Sequence, residues 1–157
     1  MVRKLERDLY DQDGVILDQI GASAAGQLPK GFDPSSLYPA RQHPKALQMT
    51  VFGMGDALGQ LGIDWKKIQE KIAPDEVAVF SGAAIGQLDG FGFGGLMQSR
   101  LKGSRASSKN LALGLVEMSA DFINAYILGS VGRTGHVVGA CATFLYNLQM
   151  GKEAIES

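Results

Sequence analysis

Glycine constrains this chain more than any other residue type. There are 21 glycines among 157 residues, roughly twice the usual share of about 7%. They concentrate at residues 82–103 and again at 129–139. Glycine serves where the backbone must take a positive φ or come close to another group. Each cluster adjoins a short apolar run that reads as a strand. That is the distribution expected of a site built on tight turns in an α/β protein.

The rest of the chain supplies the elements around those turns. Residues 1–45 carry little periodicity. Residues 21–26 are small, and Pro29, Pro34, Pro39 and Pro44 forbid a long helix. An irregular, extended segment that wraps a surface is expected there. Leu47, Val51, Met54, Leu58 and Leu61 form one stripe at helical spacing, so residues 46–61 read as a helix that Gly62 ends. Asp64 can cap a short helix over 65–72, which Pro74 stops. Residues 76–80 are nearly all apolar and read as a strand buried on both faces, as in a parallel sheet. Helices are expected over 91–101 and 115–128, with Ser107 or Ser108 capping a short turn before Leu111 and Gly129 ending the second helix. A strand is expected over 136–139. A final helix over 142–155 should turn Leu145, Leu148 and Ile155 inward. The order is that of a layered α/β protein. Two strands make a poor sheet, which suggests that further strands belong to the fold.

Bulk properties exclude several function classes. Fifteen Lys and Arg against sixteen Asp and Glu leave a net charge of −1, with no basic excess for nucleic acid and no acidic tail. The longest apolar stretches are too short to span a bilayer, and the charged first residues lack the apolar core of a secretory signal. A single cysteine rules out an internal disulfide and fits a reducing, cytoplasmic setting. One Cys and two distant His argue against a metal site.

That cysteine is the candidate site. In His136-Val137-Val138-Gly139-Ala140-Cys141-Ala142-Thr143 it lies between an expected strand and an expected helix. Free backbone N–H groups and the positive end of the helix dipole converge at such a point. Both favour a thiolate over a thiol. Ala140 and Ala142, with Gly139, permit a tight turn whose N–H groups can hold an oxyanion, a nucleophile-elbow layout with sulfur in place of oxygen. A cysteine in this position can equally be a small buried hydrophobe. His136 is no partner for it, since five residues along a strand span about 16 Å at ~3.3 Å each. His43 sits in the proline-rich region.

The segment Val137-Val138-Gly139-Ala140-Cys141-Ala142-Thr143, followed by Asn147 and Gly151-Lys152-Glu153-Ala154-Ile155, resembles the active-site segment of β-ketoacyl synthases. Asp75-Glu76-Val77-Ala78-Val79-Phe80-Ser81-Gly82 resembles the family's strand leading into a small-residue loop. Ala25-Gly26-Gln27-Leu28-Pro29 with Phe32-Asp33-Pro34 resembles an early loop. Gly139 to Leu148 is most similar to the synthase domains of multidomain enzymes that make long polyunsaturated fatty acids. The resemblance implies a partial thiolase-like fold: most of the first of two βαβαβ halves, without its first strand. Residues 1–157 would form a single partial ketosynthase domain, the N-terminal half, with the C-terminal half absent. Cys141 would accept an acyl chain as a thioester for decarboxylative condensation with malonyl carrier protein, in fatty acid or polyketide-like synthesis. Two histidines and a lysine of the other half would assist. The resemblance also implies phosphopantetheine-linked substrates on an acyl carrier protein, no tightly bound cofactor, and a homodimer. Val137 and Val138 would lie at or beside the dimer contact, and Met118 and Phe122 could line an acyl pocket as well as form core. The alternative is a non-catalytic structural or dimerising fragment.

Two other features compete for attention. Gly90, Gly92 and Gly95 match the G-x-G-x-x-G spacing, but the preceding strand ends too early for a dinucleotide site. Arg100, Lys102, Arg105 and Lys109 form a basic run that reads either as a solvated face or as a contact for an acidic carrier protein.

Overall fold

The structure is a computed structural model that describes residues 2–4, 8–10, 16–19, 24–28 and 30–157. It divides into two compact units, residues 1–32 and 33–157.

The first unit holds two antiparallel pairs. Strand β1 (Val2–Lys4) pairs with β4 (Ala24–Gly26), and β2 (Asp8–Tyr10) pairs with β3 (Ile16–Gln19). The irregular segment expected here is therefore strand-bearing in part. Three- and four-residue strands held by backbone bonds leave too short a pattern to read as alternation. The small stretch 21–23 and Pro29 of the early loop lie outside the described residues.

In the second unit, Pro34–Ser36 forms a single 3-10 turn, with the Asp33 carboxylate accepting from Ser35 N–H at 3.1 Å. Helix α1 (Lys45–Gln60) follows Pro44. Leu47 and Val51 are fully buried, at about 1.5–3 kcal/mol each for such side chains. Leu61 is 72% exposed because the stripe runs out past the end of the core. Gly62, at φ +64, ends the helix. Its N–H donates to Gly59 O and that of Ile63 to Leu58 O, which closes the last turn. Helix α2 (Trp65–Gln69) is shorter than expected. Asp64 makes no side-chain cap and pairs with Lys67 at 3.2 Å. Trp65 Nε1 and Gln69 Nε2 both donate to the carbonyl of Leu128, at 2.8 and 2.5 Å.

Strand β5 (Val79–Phe80) runs parallel to β6 (Thr134–Gly135), with Val79 opposite Thr134. The crossover between them carries α3 (Phe93–Gln98), α4 (Ser108–Gly114, capped by Ser107) and α5 (Met118–Ile123). Two expectations fail here. Val79 and Phe80 are half-buried and Ala78 is exposed, so the strand is not covered on both faces. The helix expected over 115–128 begins only at Met118, because Leu115 is extended after α4. It then widens into a π turn over Asn124–Leu128, and Gly129, at φ +60, ends it. Helix α5 packs on α1, and Tyr38, Ala40 and Val51 with Phe122 and Ile127 form the core there.

Helix α6 (Thr143–Glu156) closes the chain. Leu145, Leu148 and Ile155 do not point inward; they are 62%, 59% and 88% exposed. Thr143 and Asn147 take the buried face instead. Among the described residues no single helix is long and apolar enough to cross a membrane. The pair Ser108–Gly114 and Met118–Leu128 meets the requirement only together and is bent by 91°.

Candidate active site at the end of the parallel strands

Parallel strands bring their C-terminal ends to the same edge, where open α/β sheets form their sites. The last bond of the pair runs from Ser81 N–H to Gly135 O at 3.1 Å. Beyond it, one chain continues through Ser81, Gly82 and Ala84, and the other through residues 136–139.

The second of these segments is not the strand expected, since β6 ends at Gly135. Its amides turn to helix α6. Val137 N–H donates to Asn147 Oδ1 at 3.1 Å, and Gly139 N–H to Thr143 Oγ1 at 3.0 Å. The same Thr143 hydroxyl donates to Ala140 O at 2.8 Å. Asn147 and Thr143 are 7% and 8% exposed, so these bonds are partly shielded from water.

The chain then turns. Ala140 has φ +48 and is the sole non-glycine residue with a positive φ among those described. Left-handed backbone costs a residue with a Cβ roughly 1–2 kcal/mol, and it persists where surrounding bonds over-determine it. Here Ala142 N–H closes the turn on Gly139 O at 2.8 Å and Thr143 holds Ala140 O. Glycine at 139 leaves room for the Tyr146 ring, which a Cβ there would meet at 2.3 Å.

Cys141 sits at the centre of the 3-10 turn Ala140–Ala142, one residue from Ala142, which caps α6. Its thiol is free and exposed. It borders a cavity of about 350 Å³ walled by Ser81, Gly82 and Ala84 on one side and Thr143, Phe144 and Asn147 on the other. At Gly82 a Cβ would come within 3.2 Å of His136 Cβ, so glycine lets the two segments approach. Three roomier concavities, a groove of about 650 Å³ between α6 and β5, one of about 660 Å³ around residues 35–43 and one of about 400 Å³ beside α1, hold no cysteine.

The chain is 61% identical over 134 residues to the β-ketoacyl-[acyl-carrier-protein] synthase FabY of Pseudomonas aeruginosa, a stretch covering 85% of this chain and 21% of that protein. The crystal structure of the ketosynthase FabY from the same organism matches it with a TM-score of 0.76, at the same identity and over the same shares of the two chains. The chain is a homologue of part of a β-ketoacyl synthase. It carries a partial thiolase-like fold and spans about a fifth of the length of that relative. No family model matches the chain.

Within this partial ketosynthase fold the other expected site residues are scattered. Ala140 and Ala142 flank Cys141, and the Ala142 N–H expected to face an oxyanion is taken by Gly139 O at 2.8 Å. Val137 is half-buried beside the ladder of amides, and Val138 is 52% exposed. Met118 and Phe122 are half-buried and do not line the Cys141 cavity. Phe122 instead joins Tyr38, His43 and Tyr126 in an aromatic cluster, with ring centroids 6.3, 5.0 and 5.4 Å away. Neither histidine lines the cavity. His136 Nε2 lies 3.8 Å from Glu117 Oε2, and His43 stacks on Tyr38. Arg100, Lys102 and Arg105 are exposed, while Lys109 Nζ donates to Gln42 Oε1 at 2.8 Å. Gly90 and Gly92 belong to a loop folded on itself and Gly95 to the first turn of α3; Phe93 N–H donates to Gln87 O and Asn110 Nδ2 to Gly90 O. Among the described residues no group of three His, Cys, Asp or Glu could hold a metal ion. Sequence reading missed the wall formed by Ser81 and Ala84 and the polar pair Thr143 and Asn147. The signal for the pair was there: two polar residues at i and i+4 among the otherwise apolar Phe144, Leu145, Tyr146 and Leu148.

Proposed function

We propose that the chain is the N-terminal portion of a β-ketoacyl-[acyl carrier protein] synthase, with Cys141 as its acyl acceptor. The observation that carries this is the placement of an exposed thiol on a turn held at positive φ, facing a cavity at the C-terminal ends of the parallel strands. The Cys141 sulfur attacks the carbonyl of an acyl thioester, with its own proton lost. The carbon–sulfur bond to the carrier breaks, and the carrier thiol leaves with a proton. An N–H group of the turn around Ala140 stabilises the oxyanion, since that of Ala142 is committed to Gly139 O. In the complete synthase a malonyl carrier protein then loses CO₂, and the resulting carbanion displaces the Cys141 sulfur from the acyl carbon. The resemblance implies that the histidines and lysine for that second step come from the C-terminal half; neither His43 nor His136 borders the cavity.

The acceptor step implies phosphopantetheine-linked acyl groups on an acidic carrier protein, which the exposed run Arg100, Lys102 and Arg105 suits by charge. The finer likeness to polyunsaturated fatty acid synthases rests on residues 139–148 alone. A homodimer and a cytoplasmic location complete the reading, with the exposed Val138 at the dimer contact. The competing reading, a non-catalytic dimerising fragment, draws on the exposed apolar face of α6.

Incubation of the chain with an acyl thioester of N-acetylcysteamine, followed by intact mass spectrometry, separates the two. The acyl increment is expected on the wild-type chain and absent from Cys141→Ala. Malonyl thioester decarboxylation by the isolated chain should stay at background. An unmodified wild-type chain would favour the structural fragment.

A further inference from the structure

The segment before Cys141 has lost its strand and gained a helix in its place. Residues 136–139 run without a bend, and in such a run alternate N–H groups face the same side. Val137 and Gly139 therefore offer theirs about 6.6 Å apart at ~3.3 Å per residue. Residues i and i+4 of a helix stand about 6 Å apart along its axis at ~1.5 Å per residue. The two spacings match, and the order is antiparallel: Gly139 meets Thr143, and Val137 meets Asn147. Helix α6 thus acts as a surrogate strand of two rungs. The two acceptor residues, Thr143 and Asn147, are more than nine-tenths buried, and their bonds are part-buried.

We propose that Thr143 is a positioning residue for Cys141, with Asn147 as the second rung of the same ladder. The Thr143 hydroxyl is used twice, accepting from Gly139 N–H and donating to Ala140 O, so it spans the one residue whose φ is unfavourable. Without it Ala140 relaxes to negative φ, and Cys141 swings away from the wall made by Ser81 and Gly82. Asn147 holds the approach to the turn two residues upstream. Neither side chain needs to touch the acyl group. The inference deepens the reading of Cys141 as acyl acceptor and rests on it.

Thr143→Val keeps the side-chain shape and removes both bonds, and Thr143→Ser keeps the hydroxyl. Acyl loading from the N-acetylcysteamine thioester is followed by mass spectrometry over a range of concentrations. The limiting rate is expected to fall about tenfold or more in Thr143→Val, with the half-saturating concentration unchanged. Thr143→Ser should recover most of it. Amide hydrogen exchange on the wild-type chain is read alongside and needs no variant to fold: Val137 and Gly139 should be protected although neither lies in a sheet. Unprotected amides overturn the ladder. Loading of Thr143→Val at the wild-type rate overturns the positioning role while leaving Cys141 as acceptor. Protected amides on a wild-type chain that takes no acyl group overturn the acceptor reading, and the positioning role with it.

Discussion

His43 shows how a single side chain can set the acid limit of the fold. Its ring stacks on Tyr38 at 5.5 Å and meets Phe122 edge-on at 5.0 Å, and its Nδ1 is buried without a hydrogen-bond partner among the described residues. Burial, with a smaller push from the Lys109 ammonium, holds its pKa below the usual value near 6.5. The unfolded chain therefore binds the proton more readily than the folded one. The neutral ring's contribution is present above about pH 6.5 and is lost as pH falls through it. Tyr38 sets the opposite limit. Burial, aided by Tyr126, pushes its phenol up to about 12, so stability falls as pH rises from about 10 towards that value. The urea midpoint is expected to drop between pH 7.5 and pH 5.5, and His43→Phe should flatten that drop. An equal drop in the variant would assign the acid sensitivity elsewhere. At this scale the placement of Cys141 just ahead of a helix was legible from the small residues Gly139, Ala140 and Ala142 around it, while its role as acyl acceptor rests on the resemblance. The positive φ of Ala140 was not, since alanine carries no signal for a left-handed turn.

At the scale of elements, the turn before α6 depends on a contact that a single methyl group would break. A Cβ on Gly139 would lie 2.3 Å from Tyr146 Cε2 and 2.4 Å from Cδ2. Tyr146 is nearly half exposed, so its ring can leave, but it then uncovers the turn. Gly139→Ala is expected to cost about 1–3 kcal/mol, the usual range for overpacking, and to slow acyl loading. Gly139→Ala combined with Tyr146→Ala should regain part of that stability, measured as a coupling in chemical denaturation. Full additivity of the two changes would show that the ring is not the obstacle. The helices were legible where apolar spacing and a glycine stop agreed, as at Leu47, Val51 and Gly62. They were misread where tertiary bonds overrode the pattern. Leu115 looks helical but extends after α4, and the end of α5 widens to a π turn whose last carbonyl is claimed by Trp65 and Gln69. Strand 136–139 failed for a similar reason, because side chains of α6 took its amides.

At the largest scale, the unit of residues 33–157 is an α/β arrangement with bare apolar surface. Helix α6 displays Phe144, Leu145, Leu148 and Ile155 to solvent, all more than half exposed, and apolar area on that scale marks an interface. The purified chain is expected to sediment as a dimer at micromolar concentration. If Val138 marks the contact, Val138→Asp yields monomer or aggregate; if α6 does, Leu148→Glu with Ile155→Glu has that effect and Val138→Asp does not. A well-folded wild-type monomer would overturn both. The fold class was legible from two strands and the helices between them. Which faces lie bare was not, because apolar periodicity reports that a face wants cover and not whether cover is present. The parallel pair adds a kinetic consequence. About fifty-five residues of chain separate Val79 from Thr134, and the cavity beside Cys141 exists only once those two segments have met. Closing so long a loop brings only a two-residue ladder at first. The helices of the crossover are therefore expected to form early from local contacts, and the cavity beside Cys141 to assemble last, after most of the core is already in place.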